Sequence, residues 1–126
     1  MKKFIILLLL SVSIPTFGQV LTYNTTAYAS KVNGQSWSAW QSSDMRLVID
    51  MNNDIVTIYS PHIQIYSVYQ NVSNYYDSDG DCNMVFRFRD QDGDYGTLRL
   101  LQRLSGSSEV YIEFNNIRWC YRVVRI

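Results

Sequence analysis

Histidine, cysteine and proline are scarce in this sequence, with one, two and two copies in 126 residues. With His62 as the single imidazole and Cys82 and Cys120 as the only thiols, far apart in the chain, the sequence has no cluster of histidine and cysteine at the close spacing a zinc site needs. Neither a glycine-rich phosphate loop nor a nucleophile elbow is present. His62 follows Pro61 with no nucleophile motif near it and reads as a surface residue, and the scattered acidic residues single out no acid–base pair. No catalytic residue is implied, and the chain reads as a non-enzyme. A helical stripe is also lacking throughout residues 19–126, which excludes an α-rich domain.

The one long apolar run lies at the start. Met1, Lys2 and Lys3 precede an uninterrupted apolar stretch from Phe4 to Leu10, Ser11 and Ser13 interrupt it, and Pro15 ends it. This is the charged start and apolar core of a secretory signal, well short of the roughly 20 residues a membrane-spanning helix needs. Thr16 and Gly18 are the small residues a signal peptidase requires, so cleavage is expected after Gly18. No cysteine follows to carry a lipid. Residues 1–18 are therefore read as a signal peptide and 19–126 as one β-domain, periplasmic or secreted, with no membrane span after signal removal. Without Lys2 and Lys3 the chain keeps nine basic and eleven acidic residues, a net charge of −2. That balance gives no general attraction to nucleic acid.

Tyr, Ile, Val, Phe, Trp and Thr are abundant, alternation is two-residue, and turn residues recur about every ten, the pattern of an antiparallel meander. Strands are predicted at 20–32, 44–51, 54–60, 63–70, 82–90, 94–104, 108–114 and 117–125, with a polar loop over 71–81. They form an all-β, up-and-down meander of about eight strands, as a small barrel or half-barrel or as a two-sheet sandwich. Turn chemistry sets registers. A loop Gln91–Asp92–Gly93 pairs Asp90 with Asp94 and places Met84, Phe86 and Phe88 on one face with Leu98 and Leu100. A loop Ser105–Gly106–Ser107 would pair Leu104 with Ser108 and Leu100 with Ile112. Asn115–Asn116 pairs Phe114 with Ile117 and Ile112 with Trp119, and Asn52–Asn53 sets Ile49 opposite Val56 and Leu47 opposite Ile58. The inner face of 63–70 is ambiguous, and Pro61 should end a strand. On the outer face Arg99 and Arg118 would flank Glu113, and Arg103 and Arg122 would flank Glu109, a charge lattice in place of an anion-binding patch.

Export makes a Cys82–Cys120 disulfide chemically possible, yet parity opposes it: Cys82 follows the inward set and Cys120 the outward set. Both states stay open. No cofactor is required. Asp77, Asp79 and Asp81 could offer oxygens to calcium, although the helix-loop-helix calcium motif is absent because Phe88 stands at its twelfth position. Trp37, Trp40, Tyr75 and Tyr76 lie where a strand core does not need them and are the candidate ligand or partner surface; Trp119 is assigned to the core.

The segments SDMRLVIDMNNDIVTIYS, FRFRDQDGDYGTLRLL and EVYIEFNNIRWCYRV, together with Trp37, resemble small exported β-proteins of gut anaerobic bacteria. The resemblance covers most of the chain after the signal. It implies a fold and a compartment and transfers no site. The expected function is a non-catalytic binding module for a small molecule, glycan or protein. The alternatives are a secreted hydrolase inhibitor acting through residues 71–81, and a structural protein without a small ligand.

Overall fold

The computed structural model describes residues 19–126, and the expected signal peptide lies outside the described residues. The strands are β1 (Val20–Val32), β2 (Gln41–Ser42), β3 (Arg46–Asp50), β4 (Ile55–Ile58), β5 (Gln64–Tyr76), β6 (Cys82–Asp90), β7 (Tyr95–Gln102), β8 (Ser108–Glu113) and β9 (Ile117–Arg125). Consecutive strands pair antiparallel from β3 to β9, β1 pairs with β3, and β1 also pairs with β9. The result is a closed eight-stranded barrel with β2 added beside the second half of β1. Barrel, not sandwich, is the outcome. The turns 51–54, 77–81 and 103–107 lie at what we call the lower end, and 59–63, 91–94 and 115–116 at the upper end.

Alternation decides what is inside. Leu47, Ile49, Val56, Ile58, Met84, Phe86, Phe88, Leu98, Leu100, Val110 and Ile112 are buried in one core. Each such side chain contributes about 1.5–3 kcal/mol by leaving water. The outer wall carries Arg87, Arg89, Arg99 and Arg118, all exposed, the inverse of a lipid-facing barrel. No helix among the described residues is long and apolar enough to cross a membrane.

Three of the four turn registers hold. Leu47 faces Ile58 and Ile49 faces Val56; Phe86 faces Leu98 and Met84 faces Leu100; Ile112 faces Trp119 and Val110 faces Tyr121. The fourth is displaced by two residues: Leu100 pairs with Val110 and Leu98 with Ile112. The left-handed Gly106, at φ 98°, takes the last position of a Leu104–Ser105–Gly106 loop, as Gly93 does in its own hairpin. The amide of Arg103 donates to Ser107 O at 2.9 Å, leaving Leu104 in the turn and 80% exposed. Because the slip is even, every side chain keeps its face.

Two further differences concern β5 and the charge lattice. Strand β5 runs on to Tyr76, so the expected loop shrinks to 77–81, and its pairing with β6 shifts between Val68 and Gln70 and again between Asn71 and Ser73. These bulges explain why its inner face has no simple alternation. Pro61 follows the end of β4, as expected. With the β7–β8 register changed, Arg99 faces Tyr111 and lies over its ring at 5.7 Å instead of flanking Glu113. Arg122 faces Glu109 in register but stacks on Trp40 at 3.9 Å. Ion pairs form only from Arg103 to Glu109, at 3.0 Å, and from Arg118 to Glu113, at 3.9 Å, among the described residues.

Cys82 and Cys120 are free thiols, both buried. Cys82 belongs to the core and its Sγ lies 3.8 Å from Asn74 Oδ1, whereas Cys120 faces outward beside Tyr111. The two thiols therefore lie on opposite faces of the barrel wall. Burial pushes both thiols up, Cys120 to about 11, which suppresses the reactive thiolate. Thiol titration in denaturant without reductant is expected to find both cysteines and to find almost no reaction in the native protein. A denatured chain needing reductant first would establish a bridge instead.

Gly96 sits opposite Phe88 on the inner wall. A Cβ there would lie 2.5 Å from Phe88 Cζ and 2.7 Å from the carbonyl oxygen of Glu113, so neither ring nor backbone leaves room. Gly96→Ala is expected to destabilise the barrel by about 1–3 kcal/mol, read as a lower urea midpoint.

Candidate functional site

The upper end of the barrel is open, and its origin lies in β1. Thr26 is an extra residue in the β1–β9 ladder, between the pairs Thr25–Val123 and Ala27–Arg122. Thr25 stays inside, where its Oγ1 accepts the amide of Met45 at 2.8 Å and meets Ser43 Oγ at 2.7 Å. Past this point β1 exchanges β3 for the two-residue β2, so Met45 comes to the mouth instead of continuing the ladder.

The mouth holds a hollow of about 480 Å3 lined by Tyr28, Tyr66, Phe114, Trp119 and Tyr121, with Met45, Gln64 and the rim residues Asp90, Gln91 and Asp92. Phe88 lies beneath it, with ring centroids 4.6 Å from Tyr66 and 5.5 Å from Phe114, both edge to face. Tyr28 stands 6.2 Å from Trp119 and 6.3 Å from Tyr121. Tyr66, Phe114 and Trp119 sit at or near the upper ends of their strands, while Tyr28 and Tyr121 lie further down and face each other across the β1–β9 pairing, all on the inward side.

Polar groups mark the rings' free ends. The Tyr66 hydroxyl donates to Gln64 Oε1 at 2.5 Å, and Tyr28 donates to Gln41 Oε1 at 2.7 Å. Burial pushes the phenols of Tyr66 and Tyr121 up, Tyr121 to about 12, so both remain protonated hydroxyls at neutral pH. Chemically the mouth offers aromatic faces, neutral hydroxyls and amides, and two carboxylates at the rim, with no lysine or arginine in its lining.

The candidate surface read from the sequence is not brought together. Trp37 and Trp40 are about two-fifths exposed, in a segment folded back on β1 by the Ser38 amide to Ser30 O bond at 2.8 Å. Tyr75 and Tyr76 are exposed at the lower end of β5, the opposite end of the barrel. Trp119 packs against the core as assigned, but it is only half-buried and its remaining surface lines the mouth. Tyr28, Tyr66, Phe114 and Tyr121 were not singled out by sequence; inward parity next to an upper turn is the signal that would have found Tyr66 and Phe114, whereas Tyr28 and Tyr121 are brought together only by the β1–β9 pairing. His62 is exposed in the β4–β5 turn and does not line the hollow.

Asp77, Asp79 and Asp81 do converge, with one carboxylate oxygen of each within 4.8 Å of the others. Their geometry also serves the turn. Asp77 Oδ1 accepts the amides of Asp79 and Asp81 at 2.9 and 3.1 Å, its Oδ2 accepts Asn83 Nδ2 at 3.0 Å, and Asp81 Oδ1 accepts the amide of Leu104 at 3.0 Å. Calcium would have to share oxygens already engaged by donors.

Asp50 plays a comparable part in the β3–β4 turn. Asn53, through side chain and amide, and the Asn52 amide hold its carboxyl below the usual range. At Asp77 desolvation pushes upward, but the hydrogen bonds from Asn83, Asp81 and Asp79 outweigh it and the carboxyl is lowered. Carboxyls lowered in the folded state stabilise it above their ordinary pKa, and that contribution is lost as pH falls through the lowered folded values. The melting midpoint is therefore expected to decline below about pH 4, and less steeply in Asp50→Asn/Asp77→Asn. An unchanged acid slope in that variant would refute the assignment.

Comparison with family models, with curated proteins and with solved structures returned no match, so any reading of the mouth rests on its own geometry.

Proposed function

We propose that this protein is an exported, non-catalytic β-barrel that binds a small ligand in its upper mouth. The observation that carries the reading is the hollow of about 480 Å3 walled by five aromatic side chains. Small-ligand sites are typically concave and aromatic with a few placed polar groups. Ring faces with neighbouring amides and hydroxyls suit a glycan unit or a compact apolar molecule. Export to the periplasm or exterior belongs to the same proposal and rests on residues 1–18. The non-catalytic reading is supported by the position of His62, the single imidazole, outside the hollow. Hydrolase inhibition through 71–81 is less well supported, because 71–76 belong to β5 and the remaining turn is short.

Fluorescence tests the proposal in a Trp37→Phe/Trp40→Phe background, which leaves Trp119 as the sole indole. Saturable change is expected on titration with simple mono- and disaccharides or with an apolar naphthalene sulfonate dye. In calorimetry of the parent protein, Trp119→Ala should weaken the binding partner so found roughly tenfold, the order expected for losing one stacked ring. Native mass spectrometry of protein taken from its own export compartment should show a retained small molecule. No saturable change and no retained molecule would overturn small-ligand binding and leave the structural role.

A further inference from the structure

The net charge of −2 conceals a strong separation of charge. All nine aspartates sit at the two ends of the barrel, in turns or at strand termini. The outer wall from β6 through β9 to the second half of β1 carries Arg87, Arg89, Arg99, Arg103, Arg118, Arg122 and Lys31, against only Glu109 and Glu113; Arg125, the last residue of β9, pairs with the inward-facing Tyr23 at the lower end and is not part of this wall. Both glutamates are engaged, by Arg103 and Arg118. That leaves five cations with no ion pair among the described residues. The opposite wall, β3 to β5, has a single cation, Arg46.

The cations are ordered by the sheet. One row across the wall reads Arg87, Thr97, Glu113, Arg118, Lys31 on successive strands. At about 4.8 Å per strand, Arg87 and Arg118 stand about 14 Å apart along the wall. Between them is a shallow hollow of about 320 Å3 that also takes in Tyr69, Thr97 and Asn115. Three guanidiniums lie over rings: Arg89 on Tyr95 at 5.9 Å, Arg99 on Tyr111 at 5.7 Å and Arg122 on Trp40 at 3.9 Å. Stacking orients a guanidinium without neutralising it and leaves its N–H edge free for a carboxylate or sulfate.

From this arrangement we propose that the β6–β9 wall with Lys31 docks an acidic polysaccharide, a chain carrying carboxylates or sulfates. Complementary charge selects a polyanion. Cations spaced along a convex wall suit a flexible chain of charged sugars, and the exposed rings of Tyr69 and Tyr95 in the hollow between them suit stacking on a sugar ring. A convex barrel wall also presents neither helix nor ribbon to a duplex groove. This surface is separate from the mouth and stands whether or not the mouth binds a ligand.

Retention on immobilised heparin and polygalacturonate, with neutral dextran and a single-stranded oligonucleotide as comparisons, tests the proposal on the exported protein. Binding to the two acidic polymers is expected despite the net negative charge, weakening roughly tenfold or more between about 50 and about 200 mM salt. Arg87→Ser/Arg99→Ser should lose about tenfold in affinity, whereas the charge-matched control Arg46→Ser/Arg125→Ser should lose less than about twofold. Thermal melting of both variants confirms folding, and Arg87→Lys/Arg99→Lys should restore most of the retention if a variant is unstable. Three results would overturn it: no retention beyond dextran, equal loss in the control, or oligonucleotide binding as tight as the acidic polymers.

Discussion

The pairing of β1 with β9 is the constraint on which everything else depends. Residues from Tyr23 to Val32 are laddered against Arg125 to Ile117, joining the two ends of the described chain. Without that seam the meander would be an open sheet with two exposed edges, its inner face wet. With it, Leu21, Tyr23, Val110 and Val123 belong to one sealed interior. Such a contact closes nearly the whole described chain as a loop, so it carries a large closure entropy and forms only when the intervening hairpins support it.

The same seam makes the two ends of the barrel unlike. One strand cannot match β3, β2 and β9 without adjustment, and the extra residue Thr26 supplies it. Below the adjustment the interior is filled, and Gln102 Nε2 bonds the buried Tyr23 hydroxyl at 2.7 Å. Above it the ladder from β3 has ended and rings line an opening. The hollow thus follows from a mismatch in strand partners, and its floor from Gly96, whose missing side chain admits Phe88.

Closure also sorts the charges. Turns take aspartates because their carboxylates accept successive backbone amides, as Asp50, Asp77 and Asp90 all do. The wall takes arginines, three of whose heads lie over the rings of Tyr95, Tyr111 and Trp40. A curved wall puts diagonal neighbours within reach. Arg103 therefore meets Glu109 from beyond the end of the β7–β8 ladder, whereas Arg122, directly opposite Glu109, turns to Trp40.

Sequence by itself determined the features governed by neighbours a few residues apart: the alternation that buries Met84, Phe86, Phe88, Leu98 and Leu100, three of the four hairpin registers, and the opposed parity of Cys82 and Cys120. The fourth register was legible too, had Gly106 been given the last loop position that Gly93 occupies. Tertiary structure alone decided the barrel seam, the bulges in β1 and β5, the extension of β5 to Tyr76, and which end stays open. It alone gathered Tyr28, Tyr66, Phe114, Trp119 and Tyr121 at one mouth, while dispersing Trp37, Trp40, Tyr75 and Tyr76. The physical reason is range. A turn constrains the two strands it joins, but closure, strand curvature and diagonal contacts depend on partners distant in the chain, whose relative positions no local pattern specifies.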